Sequence, residues 1–231
     1  MNAASTEPAR ELRRVRPRRG APEDTRARLV AAAADAFNRH GFHNVDSNRI
    51  AKEAGYAAGT FYKHFPDKRA AFLAAYEAWV TTEWSAIGGE LAARRPRAAL
   101  AERILALVLE HHQRWRGLRA SMSALLVEDA DVRAFHRAQR RRQLDLLAAL
   151  RRRGGESGST SDAAPARTAE EDALLLFTLE RTCDAIANGE AKDLGLDRDR
   201  LLAVLRRQIE TAFAPAPPAA RTRPRTARRA R

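Results

Sequence analysis

Apolar residues recur every three or four positions along most of this 231-residue chain. Between residues 24 and 40, Leu29, Ala33 and Phe37 fall on one face of a helix with 3.6 residues per turn. Alanine, leucine, arginine and glutamate dominate the composition, whereas β-branched residues, which favour strands, are sparse. The spacing and the composition together predict an all-α protein.

The formal net charge of +13 is concentrated at the two ends of the chain. Residues 1–22 carry six arginines and two glutamates, and residues 214–231 carry six arginines and no acidic residue. Residues 23–83 carry eight basic and eight acidic residues and are formally neutral. Bulk charge therefore does not show that the folded part binds nucleic acid, and a motif has to support that inference.

Breaks in the helical pattern divide the chain into segments. Residues 1–22 and 214–231 lack periodicity, which predicts a disordered basic arm and a disordered basic tail. The arm either supplies phosphate contacts or is a solvated tail. Residues 23–83 and 84–213 are expected to form two domains, and a Gly/Ser-rich stretch at 154–166 predicts a flexible loop in the second.

Neither a membrane span nor a disulfide is expected. The longest apolar stretches are too short to cross a bilayer, and the first residues lack the apolar core of a signal peptide. We therefore expect a cytoplasmic protein. Cys183 is the single cysteine, and we interpret it as a buried apolar residue.

Two short helices joined by a glycine turn are predicted between Asp46 and Phe65. Asp46 is the expected N-cap of the first helix, and Gly55 permits a sharp turn before the second, at about 58–64. DNA-binding helix-turn-helix units have this shape because the second helix must protrude into the major groove. Gly59 removes a side chain where this helix comes close either to its neighbours or to DNA.

Further helices are predicted on both sides of this motif. A fourth helix is expected to follow its N-cap Asp67 and to stop at Gly88 and Gly89. The remaining predicted helices occupy about 97–116, 118–127, 132–153, 168–188 and 198–213.

Polar side chains in and around the second short helix are the predicted DNA contacts. Hydroxyls come from Thr60 and Tyr62, and positive donors come from Lys63, His64 and Lys68. The full predicted set is Ser47, Asn48, Tyr56, Ala58, Gly59, Thr60, Tyr62, Lys63, His64 and Lys68. Tyr56 either contacts the DNA backbone or is a partly buried core aromatic.

Three stretches follow one another in residues 25–68, namely TRARLVAAAADAFNRHGF, IAKEAG and GTFYKHFPDK. In this order they resemble the TetR family of bacterial one-component repressors. The resemblance implies about nine helices, three of them in an N-terminal helix-turn-helix DNA-binding domain. The rest would form a larger ligand-binding and dimerisation domain. It also implies a homodimeric repressor that binds a palindromic operator in double-stranded DNA and is released by a small molecule.

Individual positions also match positions of the family that contact DNA. Thr60 and Tyr62 match positions that touch DNA, and His64 and Lys68 match phosphate contacts. The chain departs from the family pattern at Val45, Ser47, Tyr56 and Ala57. Ala57 replaces a Ser or Thr helix cap, a loss that costs about 1 kcal/mol locally.

The last two predicted helices carry dense apolar stripes. Such stripes are either a packing surface for a second subunit or ordinary core. The residues assigned to a dimer interface are Leu175, Leu179, Ile186, Leu201, Leu205 and Ile209.

A ligand pocket is expected between helices of the larger domain. The candidate lining residues are Trp115, Met122, Leu126, Phe135, Phe177, Glu180 and Arg181. Each of the apolar ones is also explained as simple core, and Glu180 with Arg181 as an exposed or salt-bridged pair.

Catalytic and metal-binding signatures do not appear in the sequence. The motifs GxSxG, HExxH, GxGxxG and the P-loop are missing, so a helical enzyme is the weaker alternative. The neighbours His111 and His112 point to different helical faces, and with His136 they match no known ligand spacing, so neither metal nor cofactor is predicted. A second alternative is a DNA-binding protein of the same fold that responds to no ligand.

Overall fold

The structure, a computed structural model, describes residues 21–93, 95–155 and 168–212. Within these ranges the chain forms ten helices and no strand, which confirms the predicted all-α class. They are α1 (Pro22–His40), α2 (Ser47–Glu53), α3 (Ala58–His64), α4 (Lys68–Ala92), α5 (Arg97–Arg114), α6 (Arg116–Glu128), α7 (Ala130–Gly155), α8 (Ala169–Ala187), α9 (Glu190–Asp193) and α10 (Arg198–Ala212). None of these described helices is long and apolar enough to cross a lipid bilayer.

The first of two hydrophobic cores lies where α1 packs on α4 and α6. Phe37 on α1 and Phe72 on α4 are completely buried, and their rings meet edge to face with centroids 5.3 Å apart. Leu118 and Met122 extend the same core onto α6. Because aromatic and aliphatic side chains contribute their largest stabilisation when fully buried, this core ties α6 firmly to the first four helices.

The second core is formed by α5, α8 and α10 with the end of α4. Leu179, Leu205 and Ile209 are buried in it, so their assignment to a dimer interface is wrong. The densest apolar stripe of each helix packs on α5 and is not available to a second subunit. Leu175 and Ile186 also pack against this core, but they are only half-buried.

The prediction that α4 stops at Gly88 and Gly89 is wrong, because the helix continues to Ala92. A glycine inside a helix costs about 1 kcal/mol relative to alanine. Burial of Ile87 in the second core, with Leu91 packed beside it, offsets that cost. The glycines therefore lie within the helix rather than at its end.

Two further boundaries differ from the prediction. Helix α7 runs to Gly155, two residues into the predicted loop at 154–166, and residues 156–167 lie outside the described part of the chain. The single turn α9 was not predicted, because four residues are too few to show a helical period. It follows Gly189, whose φ of +84° makes the left-handed turn out of α8.

Asn38, near the end of α1, joins that helix to the start of α6. Its side-chain oxygen accepts hydrogen bonds from the backbone N–H groups of Gly117 (2.9 Å) and Leu118 (3.1 Å). Its amide group donates to the carbonyl oxygen of Arg114 (2.8 Å). A Cβ on Gly117 would lie 1.9 Å from the carbonyl oxygen of Asn38, so only glycine permits this approach.

Candidate functional site

Helices α2 and α3 form the predicted helix-turn-helix. Asp46 accepts a hydrogen bond from the backbone N–H of Arg49 at 2.7 Å, which confirms it as the N-cap of α2. Gly55 has a φ of +84° and makes the left-handed turn between the two helices. Ile50 on α2 and Phe61 on α3 are completely buried, so the two helices are held in a fixed arrangement.

The outer face of α3 is open to solvent. The side chain of Tyr62 is 58% exposed, and Lys63 and Ala58 are exposed as well. Thr60 and His64 lie at the edge of this face and are half-buried. The buried Phe61 anchors the helix, and the residues around it therefore form a polar surface that a nucleic acid could reach.

Three further predicted positions belong to the same surface region. Asn48 is exposed at the start of α2. Ala57 precedes α3 and, as its sequence predicts, provides no side-chain hydrogen bond to cap it. Apart from its chain neighbours and the nearby backbone of α3, no heavy atom of the described residues comes within 4 Å of the place where a Cβ on Gly59 would lie. Close approach to a neighbouring helix therefore does not explain Gly59.

Ser47, Tyr56 and Lys68 are placed less favourably for DNA contact. Ser47 is buried in the first turn of α2, so its assignment to a DNA-contacting surface is wrong. Tyr56 is half-buried and packs against the first core. The ammonium of Lys68 donates to the carbonyl oxygens of Phe42 (3.0 Å) and Val45 (3.1 Å) and would have to leave them to contact a phosphate. In this arrangement Lys68 holds the loop between α1 and α2.

A polar cavity of about 210 Å³ opens among α4, α6, α7 and α8. Five of the predicted pocket residues line it, namely Met122, Leu126, Phe177, Glu180 and Arg181. Trp115 and Phe135 do not line this cavity. Their half-buried rings pack against the first core instead.

Ion pairs lie in and beside the wall of the polar cavity. The guanidinium of Arg119 donates two hydrogen bonds of 2.7 Å to the carboxylate of Asp184. His112 lies 2.9 Å from the same carboxylate through Nδ1, and Arg140 pairs with Glu180. Burial alone would raise the pKa of Asp184, but the hydrogen bonds from His112 and Arg119 lower it below its usual range.

A second, smaller cavity of about 50 Å³ lies among α4, α5, α7, α8 and α10. Its wall is mainly aliphatic, and the charged residues that line it are Glu83 and Glu180. Glu83 is only 4% exposed, and burial raises the pKa of its carboxyl group to about 8. Glu180, which pairs with Arg140, lines both cavities.

Sequence reasoning missed several polar residues of these cavities. Arg119 interrupts the apolar face that Leu118 and Met122 form on α6, and Asp184 follows the buried Cys183 on α8. A charged residue next to buried apolar ones is a usable signal, and Glu180 is predicted as a pocket residue on that ground. The burial predicted for Cys183 is confirmed, and burial raises the pKa of its thiol to about 12.

Exposed apolar side chains remain on the last long helices. Leu174 is 67% and Phe177 52% exposed on α8, and Val204 is 43% exposed on α10. Leu201 on α10 is half-buried. These positions differ from the buried ones that pack on α5. The predicted basic arm at 1–22, apart from its last two residues, and the basic tail at 214–231 lie outside the described residues.

Comparison with known proteins finds matches to bacterial regulators in the first part of the chain. Residues 29–75 match the family described as bacterial regulatory proteins, tetR family. An HTH-type transcriptional regulator of Staphylococcus aureus (strain USA300) is 45% identical over 46 residues, which are 20% of this chain and 25% of that protein. The chain thus matches about a quarter of the length of such curated relatives.

Solved structures share the whole fold at low sequence identity. A TetR-family transcriptional regulator from Rhodococcus sp. has a TM-score of 0.67 and 14% identity, over 83% of this chain and 100% of that one. The fatty acid degradation regulator FadR from Bacillus halodurans has a TM-score of 0.60 and 19% identity, over 85% and 97% of the two chains. The residues that match the tetR family of bacterial regulatory proteins, 29–75, include the helix-turn-helix that α2 and α3 form, and the described helices share the fold of these solved regulators.

Proposed function

We propose that the chain is a transcriptional regulator that binds an operator in double-stranded DNA as a homodimer, represses transcription there and is released by a small molecule. The proposal rests on the exposed polar face of α3, a helix that the buried Phe61 anchors to the core. A helix presented in this way fits the major groove, and its hydroxyls and ammonium group suit base edges and phosphates. A bound dimer would repress most simply by blocking the polymerase.

The exposed apolar residues on α8 and α10 support the homodimer. Leu174 and Phe177 are one helical turn apart on α8, and Leu201 and Val204 are one turn apart on α10. Two such faces, packed on their copies about a two-fold axis, would form a four-helix interface. The two α3 helices would then enter successive major grooves about 34 Å apart.

The polar cavity and its connection to α1 support a ligand response. Arg119 on α6 lines that cavity and binds Asp184 on α8, while the start of α6 is hydrogen-bonded to Asn38 on α1. A ligand that prefers a different position of α6 would therefore shift the first domain with it. The equilibrium between DNA-binding and released forms would move by the ligand's difference in affinity for the two.

The DNA-binding part is tested with a duplex that the protein itself enriches from a random-sequence library. We expect Tyr62→Ala to weaken binding to this duplex about tenfold, because a side chain on the groove-facing surface is lost. Lys63→Ala should also weaken binding and should lower the slope of log affinity against log salt by about one. Fluorescence anisotropy at several salt concentrations measures both effects.

The matched control is Lys192→Ala, which removes an exposed lysine from α9, far along the chain from the helix-turn-helix. It should leave the affinity and the salt slope unchanged. If Lys192→Ala weakened binding as much as Lys63→Ala does, general positive charge would explain the affinity and α3 would not be the recognition element.

A further inference from the structure

We propose that the polar cavity among α4, α6, α7 and α8 binds a small organic carboxylate, an apolar body with one carboxylate group, and that Tyr76 and His136 donate hydrogen bonds to that group. As the class of the regulatory ligand, this assignment rests on the proposed ligand response. As a binding site, it rests only on the residues that line the cavity.

The first argument is that the wall contains donors without a partner. Tyr76 on α4 and His136 on α7 line the cavity, and neither the hydroxyl group nor the ring nitrogens have a hydrogen-bond partner among the described residues. None of these atoms is sealed in the protein interior. Tyr76 is only 5% exposed, so the cavity gives access to its hydroxyl group. A ligand with acceptor atoms would supply the hydrogen bonds that both donors lack.

The second argument is that the carboxylates of the wall are already bonded. Asp184 accepts two hydrogen bonds of 2.7 Å from Arg119, and both carboxylate oxygens of Glu180 accept from Arg140. A cationic ligand would have to compete with these guanidinium groups. In contrast, Nη1 of Arg119 and Nε of Arg140 make no hydrogen bond within the described part of the chain and keep N–H groups for an acceptor.

The third argument is the balance of charge. Three arginines and two acids line the cavity, so its wall has one positive charge in excess. The third arginine is Arg181, whose partner Glu190 does not line the cavity. A carboxylate ligand would neutralise the wall, whereas a cationic ligand would add to its excess charge.

The ionisation of His136 agrees with this balance. Burial lowers the pKa of the ring to about 4, so the ring is neutral at pH 7 and has one N–H group to donate. The charges of Arg140 and Arg119 lower this pKa further, and together they outweigh the opposite effect of Glu180. The electrostatic potential at the ring is therefore positive, which favours an anion beside it.

The fourth argument is the size of the cavity and its apolar part. A volume of about 210 Å³ corresponds to about seven water molecules at roughly 30 Å³ each, which suits a single ring or a short chain rather than a drug-sized molecule. Met122, Leu126 and Phe177 would contact such an apolar body. A ligand here would touch α4 and α6, the two helices that the first core joins to α1.

The experiment compares benzoate, benzamide and benzamidinium, which have nearly the same shape but are anionic, neutral and cationic. The full chain is titrated at pH 7 without DNA by isothermal titration calorimetry, and the NMR signals of the His136 ring report whether a probe occupies the cavity. We expect benzoate to bind at least about tenfold more tightly than benzamide and to shift the His136 signals, and benzamidinium to bind most weakly.

Tyr76→Phe removes the hydroxyl group and keeps the ring. The affinity for benzoate should fall about tenfold, because a hydrogen bond to a charged group is lost. The free energy of unfolding should not fall, because this hydroxyl group has no partner among the described residues. Tyr56→Phe, the same substitution in the turn before α3 and outside the cavity, should leave the affinity for benzoate unchanged.

The proposal is overturned if benzoate does not bind or does not shift the His136 signals, or if benzamide or benzamidinium binds the unaltered protein as tightly. It is also overturned if Tyr76→Phe keeps the full affinity for benzoate. The comparison of the three probes needs no variant and stands even if Tyr76→Phe folds poorly. Because DNA is absent, a failure here removes the carboxylate site and leaves the proposed DNA binding untouched. A failure of DNA binding would in turn leave the cavity result intact.

Discussion

Single residues set the most sensitive contacts of this fold, and few of them are visible in the sequence. Asp46 and Asp67 were predicted as helix caps, because a cap acts on backbone three residues away, and both accept the expected hydrogen bond. Asn38 and Gly117 were not noticed, because they meet only after α1 and α6 have packed, 79 positions apart in the chain. Local chemistry was predictable, whereas long-range polar contacts were not.

Gly117→Ala should destabilise the fold by about 2 kcal/mol, because its Cβ would lie 1.9 Å from the backbone oxygen of Asn38 and the two helices would have to move apart. Gly89→Ala is the matched control. Apart from its chain neighbours and the nearby backbone of α4, no heavy atom of the described residues lies within 4 Å of that Cβ, so alanine should stabilise α4 by up to about 1 kcal/mol. Urea unfolding of the two variants should show shifts of opposite sign, and shifts of the same sign would contradict this description of the contact.

Glu83 should make the stability of the protein fall as pH rises. Its pKa is about 8 in the folded state against 4.5 as the ordinary value, so between these values the folded state holds a proton that the unfolded state has lost. The free energy of unfolding should therefore decrease from about pH 5 to pH 8, on the order of 1 kcal/mol or more in total.

Glu83→Gln cannot lose this proton. Its stability relative to the unaltered protein should therefore increase across the same pH range, as measured by urea unfolding in a series of buffers. Glu77→Gln, at an exposed position of α4 that pairs with Arg142, serves as the control and should not show this increase. A constant difference for Glu83→Gln would mean that the folded state does not hold the proton.

At the scale of helices, apolar patterning predicted nearly all the helices, but not which of their apolar faces are buried within the chain and which remain exposed. The stripe of Leu179, Leu205 and Ile209 packs inside the chain, whereas Leu174 and Val204 remain exposed. A core face and an interface are apolar at the same helical spacing, so one sequence cannot separate them. The predicted end of α4 at Gly88 and Gly89 is wrong because packing again decides. Burial of Ile87 outweighs the low helix propensity of the two glycines.

Leu174→Asp should convert the proposed dimer into a monomer, because it places a charge in the apolar face that two copies would bury. Val127→Asp is the control, since Val127 is 82% exposed at the end of α6 and lies outside that face. Sedimentation velocity at micromolar concentration should show a dimer for the unaltered protein and for Val127→Asp only. A monomeric unaltered protein, or dissociation of both variants, would contradict the assigned interface.

At the scale of the whole molecule, the resemblance carried by residues 25–68 predicted the all-α class and the helix-turn-helix, and the structure agrees with both. The charged network could not be predicted, because Arg119, Arg140, Glu180 and Asp184 come from α6, α7 and α8 and pair only when those helices meet. This network surrounds the cavities, and α6 connects it to α1 through Asn38. The proposed ligand response and its coupling to the first domain therefore depend on the packed structure more than on any motif.

Footprinting on DNA that the protein selects tests whether α3 recognises a specific DNA sequence as half of a symmetric dimer. We expect two protected half-sites related by two-fold symmetry, with centres about one helical turn of DNA apart. Tyr62→Ala should lose this protection at concentrations where Lys192→Ala keeps it. Selection of no common sequence, or equal protection by Tyr62→Ala, would mean that α3 is not the recognition element of a symmetric dimer.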